Sequence, residues 1–169
     1  MNTKFTIAQL NQISQEEFTQ ALGEIWEETP EIAERAWYSK PFEDVNSLHQ
    51  AMVAAVDRMS EAEQLALIKA HPDLGSKAKM ADASVQEQAG VGLDRLSEGE
   101  YARFKSLNQA YKDKFDFPFI IAVKNHTKES ILQTFATRLK SDRKSEKQQA
   151  LTEISEIARL RLEFIITDT

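Results

Sequence analysis

The chain has 169 residues, of which 41% are apolar and 28% charged, with a formal net charge of −6 and no cysteine. This is the make-up of a soluble, single-domain globular protein, and it excludes a disulfide framework, thiolate chemistry and a cysteine metal site, while the acidic balance argues against phosphate-backbone binding. No apolar run approaches the ~20 residues of a membrane span, Met1–Phe5 lacks the apolar core of a secretory signal, and Thr167-Asp168-Thr169 is not a peroxisomal tripeptide, so the expectation is a cytoplasmic, metal-free protein that acts on a small molecule or serves as an interaction module.

Ser14-x-x-Glu17 is a capping box, followed at helical spacing by Phe18, Leu22, Ile25 and Trp26. Thr29 is placed to cap the next helix with Pro30 at its first position, and Ile32, Ala33, Ala36 and Trp37 supply its apolar side. Lys40-Pro41-Phe42 breaks that helix. Val45, Leu48, Met52, Val56 and Met59 recur at steps of three and four, an amphipathic third helix. Ser60-x-x-Glu63 opens a fourth, with Ala62, Leu65 and Ile68 expected inward. It must end near Ala70-His71, because Pro72 disfavours helical geometry at the residue before it.

Asp73–Ala83, with Gly75 in it, reads as loop, and Ser84-x-x-Glu87 as the start of a short helix that dissolves at Gly90 and Gly92. Ser97-x-x-Glu100 starts a long helix with Phe104, Leu107 and Tyr111 expected on its buried side. Residues 115–123, Phe-Asp-Phe-Pro-Phe-Ile-Ile-Ala-Val, are the only β-like run. A proline within it and no strand to pair with make a sheet unfavourable, so a buried extended segment is expected. Thr127 caps a helix on Ile131, Leu132, Phe135 and Leu139, and a last helix runs from about Ser145 to Ile166 on Leu151, Ile154, Ala158 and Ile165. The fold class is all-α, a single-domain bundle of about eight helices over 1–169 with one extended segment.

Few residues in this pattern carry chemistry. Of His49, His71 and His126, no pair has metal-site spacing. His71 stands out because a proline fixes it at a helix end, where the C-terminal dipole favours the protonated imidazole. An isolated histidine is nonetheless weakly diagnostic. Glu87, sixteen residues later, has two readings. It can reach back to the Ser84 amide as a capping residue, or serve as an anion that orients an imidazole or meets a ligand. Gln88 beside it offers an amide that donates and accepts. Arg161 is the one polar member of the inward stripe 151, 154, 158, 161, 165, so it must snorkel out, find a carboxylate or face a polar cavity. Backbone groups of the irregular 115–123 run lack ladder partners and could be offered to a ligand rich in amides.

Several of these motifs occur together in one order: Pro41-Phe42, His71-Pro72-x-Leu74-Gly75, Ser84-x-x-Glu87-Gln88, Gly92-Leu93-Asp94, Phe117-Pro118-Phe119-Ile120-Ile121, Ile131-Leu132 and Ala158-x-x-Arg161-Leu162. In order and spacing they resemble the 2-oxo-4-hydroxy-4-carboxy-5-ureidoimidazoline (OHCU) decarboxylases of urate catabolism, over nearly the whole chain. The resemblance implies a cofactor-free, all-helical lyase without a metal, commonly a homodimer, that forms (S)-allantoin. It maps the family's catalytic histidine, glutamate and arginine onto His71, Glu87 and Arg161. Ligand contacts map onto Pro72, Ser84, Val85, Gln86 and Gln88, and onto the backbone of Phe119, Ile120, Ile121, Ala122 and Val123. Lys40 is a departure, since the family usually has arginine before Pro41-Phe42. That keeps the charge and loses the planar fork. The reading requires three side chains far apart in sequence to converge on one cavity. The competing reading, from another class, is a non-catalytic helical module whose groove binds a partner peptide; a smaller alternative is a hydrolase of the preceding hydroxyisourate.

Overall fold

Among the described residues six helices open on reciprocal capping boxes, in which a Thr, Ser or Asp side chain and the residue three positions on satisfy each other's backbone amides: Thr6 with Gln9, Ser14 with Glu17, Asp44 with Ser47, Ser60 with Glu63, Ser97 with Glu100, and Thr127 with Ser130. The computed structural model describes residues 4–75 and 82–167, and among them it contains nine α-helices and no sheet. The chain forms two compact units, Met1–Leu67 with Ser155–Thr169, and Ile68–Ile154.

The first unit holds α1 (Ile7–Gln12), α2 (Gln15–Leu22), α3 (Glu31–Ala36), α4 (Val45–Asp57), most of α5 (Glu61–Lys69) and the C-terminal part of α9 (Arg143–Ile165). Its core is Leu10, Phe18, Leu22, Trp26, Ile32, Leu48, Met52, Ala158 and Leu162, all essentially inaccessible. Each of the larger ones contributes on the order of 1.5–3 kcal/mol of burial. The indole N–H of Trp26 donates to the Met52 sulfur at 3.2 Å. Phe5 bonds through both backbone groups, to Ile165 and Thr167, tying the N-terminal segment to the end of α9.

Three local expectations change here. The helix α1 was not read from the sequence, although Thr6-x-x-Gln9 is a capping signature. Thr29 does not cap α3; Pro30 takes the cap position and the Thr29 hydroxyl donates to the Glu27 carbonyl at 2.7 Å. On α5 the buried residues are Leu67 and Ile68, while Ala62 is exposed and Leu65 half-buried.

The second unit contains α6 (Asp82–Gly90), α7 (Glu98–Phe115), α8 (Lys128–Arg138), the first half of α9, and the extended segment after α7. The segment starts where Asp116 ends α7 in a left-handed conformation at φ 64°, and it runs buried to a short 3-10 turn at Val123–Asn125. It is extended and unpaired with any strand, as the proline and the lack of a partner strand imply. Tyr111 is the centre of an aromatic cluster with Phe115, Phe117, Phe119 and Phe135. The inward stripe of α7 is Phe104, Asn108, Tyr111 and Phe115, with Leu107 only half-buried. On α9 it is Glu146, Ala150, Ile154, Ala158, Arg161 and Leu162; Leu151 and Ile165 are half-buried.

Candidate active site

His71 leaves the end of α5 with its backbone N–H still bonded to the Ile68 carbonyl at 3.2 Å, and its side chain is buried. Proline 72 then forces the chain out of the helix. The loop that follows is fixed residue by residue. Lys112 Nζ lies 2.7 Å from Asp73 Oδ2, the Asn108 amide donates to the Leu74 carbonyl at 2.9 Å, and the Gly75 N–H donates to Gln88 Oε1 at 3.0 Å. Gly75 sits at φ +68°, a left-handed conformation that strains any residue with a side chain, and a Cβ there would also press on Leu96 Cδ1 at 2.7 Å. His71 lines a hollow of about 290 Å³ with Lys69, Asp73, Lys112, Asp116 and Phe117. The two lysines in that wall are each paired with an aspartate, Lys69 with Asp116 at 3.8 Å and Lys112 with Asp73.

The helix carrying Glu87 begins at Asp82, two residues earlier than Ser84-x-x-Glu87 implies. Ser84 is therefore a buried residue inside the first turn and not the cap, and Glu87 belongs to the second turn. The capping role that would have explained Glu87 without function falls away. Residues 76–81 of the loop expected over Asp73–Ala83 lie outside the described residues. Glu87 is half-buried, Val85 and Gln86 are exposed, and Gln88 is buried. The Gln88 amide is used within the protein: besides the bond from Gly75, its Nε2 reaches the Asp73 carbonyl at 3.5 Å. Gln88 thus joins α6 to the loop after His71.

The segment expected to offer backbone groups is held at several of them, two by side chains of α8 and α9. Arg138 Nη1 donates to the Ile120 carbonyl at 2.6 Å, and the Ala122 N–H donates to Glu153 at 3.0 Å. The N–H and C=O of Phe119 and Ile121 meet no partner among the described residues, though both residues are almost wholly inaccessible. The Phe119 ring lies 3.8 Å from the Phe135 ring, parallel to it, with the Arg138 guanidinium 4.4 Å from the Phe119 centroid. Arg138 is anchored by Glu146 at 2.8 Å, and Glu146 accepts from the Tyr111 hydroxyl at 2.6 Å. Burial first, and the Glu146 carboxylate second, push the Tyr111 hydroxyl well above its ordinary value of 10.

In the first unit Arg161 has found a carboxylate. Its Nη2 lies 3.1 Å from Glu27 Oε2 and its Nη1 lies 3.3 Å from the Glu24 and Ile25 carbonyls. Both side chains are buried. Lys40 rests with its ammonium 4.0 Å from the Trp37 ring centroid, a use of the charge that needs no fork. Among the described residues no group of three or more His, Asp or Glu side chains is disposed as metal ligands.

The sequence profile of the OHCU decarboxylases matches residues 11–163, across both compact units. The chain belongs to the OHCU decarboxylase family. A 2-oxo-4-hydroxy-4-carboxy-5-ureidoimidazoline decarboxylase of Halalkalicoccus jeotgali is 45% identical over 161 residues, 95% of this chain and 92% of the relative. The uric acid degradation bifunctional protein PucL of Bacillus subtilis is 47% identical over 164 residues, 97% of this chain but 33% of that longer protein. Among solved structures, (S)-allantoin synthase superposes with a TM-score of 0.78 at 31% identity, over 96% of this chain and 54% of that one.

For a member of this family the chain reveals polar residues that the sequence reading passed over. Asn108 holds the His71 loop, Glu27 holds Arg161, and Arg138 and Glu153 hold the segment at Ile120 and Ala122. The helical ones among them carried a signal, and Glu27, in an irregular stretch, did not. Asn108 and Glu146 are polar residues at inward steps of a helix, as Arg161 is.

Proposed function

We propose that this chain decarboxylates OHCU to (S)-allantoin, a step in urate degradation. The observation that carries the proposal is the OHCU decarboxylase match over 11–163 together with a buried His71 on a loop fixed at three successive residues. In the reaction the bond from the ring carbon to the carboxylate breaks and CO2 leaves. The electron pair passes toward the adjoining ring imine and leaves an enol at the hydroxyl-bearing carbon; a proton is then delivered from one face to the neighbouring ureido-bearing carbon, and the enol hydroxyl loses its proton to become the ring carbonyl of allantoin. The ring is itself the electron sink. What the protein must supply is orientation of the scissile carboxylate, stabilisation of the developing enolate, and a proton on the correct side.

His71 handles the proton near the substrate hydroxyl or the nascent carbanion. Glu87, released from a capping role, holds the imidazole or the substrate amides, and Arg161 binds a substrate oxygen. Pro72, Ser84, Val85, Gln86 and Gln88 form the substrate-contact stretch, with Gln88 acting through the loop. The backbone groups of Phe119 and Ile121, without partners among the described residues, suit a ligand built of amides and ureas. The same reading takes 1–169 as one OHCU decarboxylase-like domain working as a homodimer in the cytoplasm, with no nucleic-acid or membrane partner. No helix among the described residues is long and apolar enough to cross a membrane.

The test is to generate the unstable substrate from urate with a urate oxidase and a hydroxyisourate hydrolase, then add this chain. Faster appearance of dextrorotatory allantoin supports the lyase. Racemic allantoin forming at the uncatalysed rate would leave the peptide-binding module as the better account.

A further inference from the structure

The loop after His71 poses a question that the reaction does not answer: what sets the position of the imidazole. The His71 backbone N–H keeps its bond to the Ile68 carbonyl of α5, and the chain then leaves the helix at Pro72. Beyond it, Asp73, Leu74 and Gly75 are each met by a different side chain. Two of these three contacts are made by buried neutral amides, Asn108 on the Leu74 carbonyl and Gln88 on the Gly75 N–H, and of the two Asn108 stands nearer His71 along the loop. Asn108 occupies an inward step of α7 between Phe104 and Tyr111, a place where an apolar residue would ordinarily pack. Its Oδ1 is buried and has no hydrogen-bond partner among the described residues. The residue is therefore not explained as part of a self-satisfied polar network; the one bond it makes is to the loop.

We infer that Asn108 is a positioning residue for His71, holding the Leu74 carbonyl so that the imidazole is presented at a fixed place and angle. The inference rests on the proposed decarboxylase reading for its kinetic consequence, but its structural half does not. Asn108 lies on the same helix as Tyr111 and Phe115, whose aromatic packing makes α7 a rigid reference. Lys112, one turn further on, adds a second and more exposed link from the same helix to Asp73. The Gln88 bond to Gly75 closes the arrangement from α6. The loop backbone is thus bound on two sides within four residues of the histidine. A displacement of the order of 1 Å in a reacting group is enough to lower a rate by about a hundredfold.

The experiment combines kinetics with NMR of the three imidazoles, His49, His71 and His126, assigned with His71→Asn. In Asn108→Leu the donor to Leu74 is gone. The expected result is a fall in kcat of about ten- to a hundredfold with KM changed less than about threefold, together with a shift of the His71 resonances while those of His49 and His126 stay. In Asn108→Asp the new side chain can donate only while protonated, so its kcat deficit should narrow as pH falls. If Asn108→Leu does not fold, Lys112→Met reads the same link from the half-exposed rim, with a smaller His71 shift and a loss of about two- to fivefold in kcat. Folded variants in which the His71 resonances do not move would overturn the inference. A wild-type chain without decarboxylase activity would instead overturn the proposed function, and the imidazole shifts would still decide the positioning role.

Discussion

Glu27 and Arg161, 134 positions apart, form an ion pair at 3.1 Å in which neither side chain is more than 6% exposed. Each charge has lost most of its hydration, and the opposite charge beside it offsets much of that cost. Glu27→Ala should therefore destabilise the protein by about 3–5 kcal/mol, and Arg161→Met by a similar amount. Glu27→Ala combined with Arg161→Met should cost clearly less than the sum. Urea denaturation of the four proteins in that cycle measures the coupling, and strict additivity would show that the pair contributes nothing beyond its separate members.

Glu87 offers a sharper separation of stability from activity. Because α6 begins at Asp82, Glu87 is not the capping partner of Ser84. Loss of a true cap costs about 0.5–2 kcal/mol. Glu87→Gln is expected to change stability by less than about 0.5 kcal/mol, as for an ordinary half-buried polar replacement, while lowering kcat/KM by a hundredfold or so. Thermal denaturation and initial rates on the same preparation check both halves. A destabilised variant with normal turnover would return Glu87 to a purely structural role.

Tyr111, Glu146 and Arg138 form a buried cluster whose pH response has a definite sign. The tyrosine hydroxyl is neutral when protonated, and burial followed by the Glu146 carboxylate raises its folded-state value well above 10. The folded state then holds that proton more tightly than the unfolded state. Its contribution to stability is complete below about pH 10 and is lost as pH rises beyond it. The melting temperature of the wild type should fall more steeply between pH 9 and about 11 than that of Tyr111→Phe, which has no proton to lose there. Equal slopes would contradict the burial of an ionisable hydroxyl. At neutral pH, Glu146→Leu should cost about 3–5 kcal/mol because it strands the Arg138 guanidinium.

Three carboxylates at helix starts give the opposite pH dependence. Glu63 and Glu100 are held below their ordinary value of 4.5 chiefly by the backbone amides of Ser60 and Ser97, and Asp142 below 3.8 by that of Ser145. Their folded-state values are depressed, so their contribution is present above the unfolded value and lost as pH falls through the folded one. Glu100→Gln should flatten the acid limb of a stability–pH curve below about pH 4.5 and leave the neutral plateau nearly unchanged. An unaltered acid limb would count against the Ser97 cap.

The capping boxes were legible because they are local: Ser14 with Glu17, Ser97 with Glu100 and the start at Thr127 all depend on residues three apart. The buried run after Phe115 was legible too, because a proline and the lack of a partner strand leave few alternatives. Burial direction was less so. Leu107 and Leu151 were expected inward and are half-buried, while Asn108 and Ala150 take the inner steps, since neighbouring helices decide which of two adjacent positions is covered. Ser84 looked like a cap because its spacing to Glu87 is right, but the helix begins two residues before it. Periodicity put Arg161 inside and no further; its partner Glu27 comes from an irregular stretch that has no pattern to read. Gln88 was read as a ligand-facing amide, and its amide is bonded to Gly75 and Asp73.

The most direct test concerns His71. The substrate is generated in situ from urate, and the circular dichroism of the allantoin formed is followed with wild type and with His71→Asn, alongside the helical far-ultraviolet spectrum of each protein. The account predicts that His71→Asn keeps the helical spectrum and loses stereoselective turnover, so that allantoin accumulates as a racemate at the uncatalysed rate. A folded His71→Asn variant that still makes (S)-allantoin at the wild-type rate would contradict it.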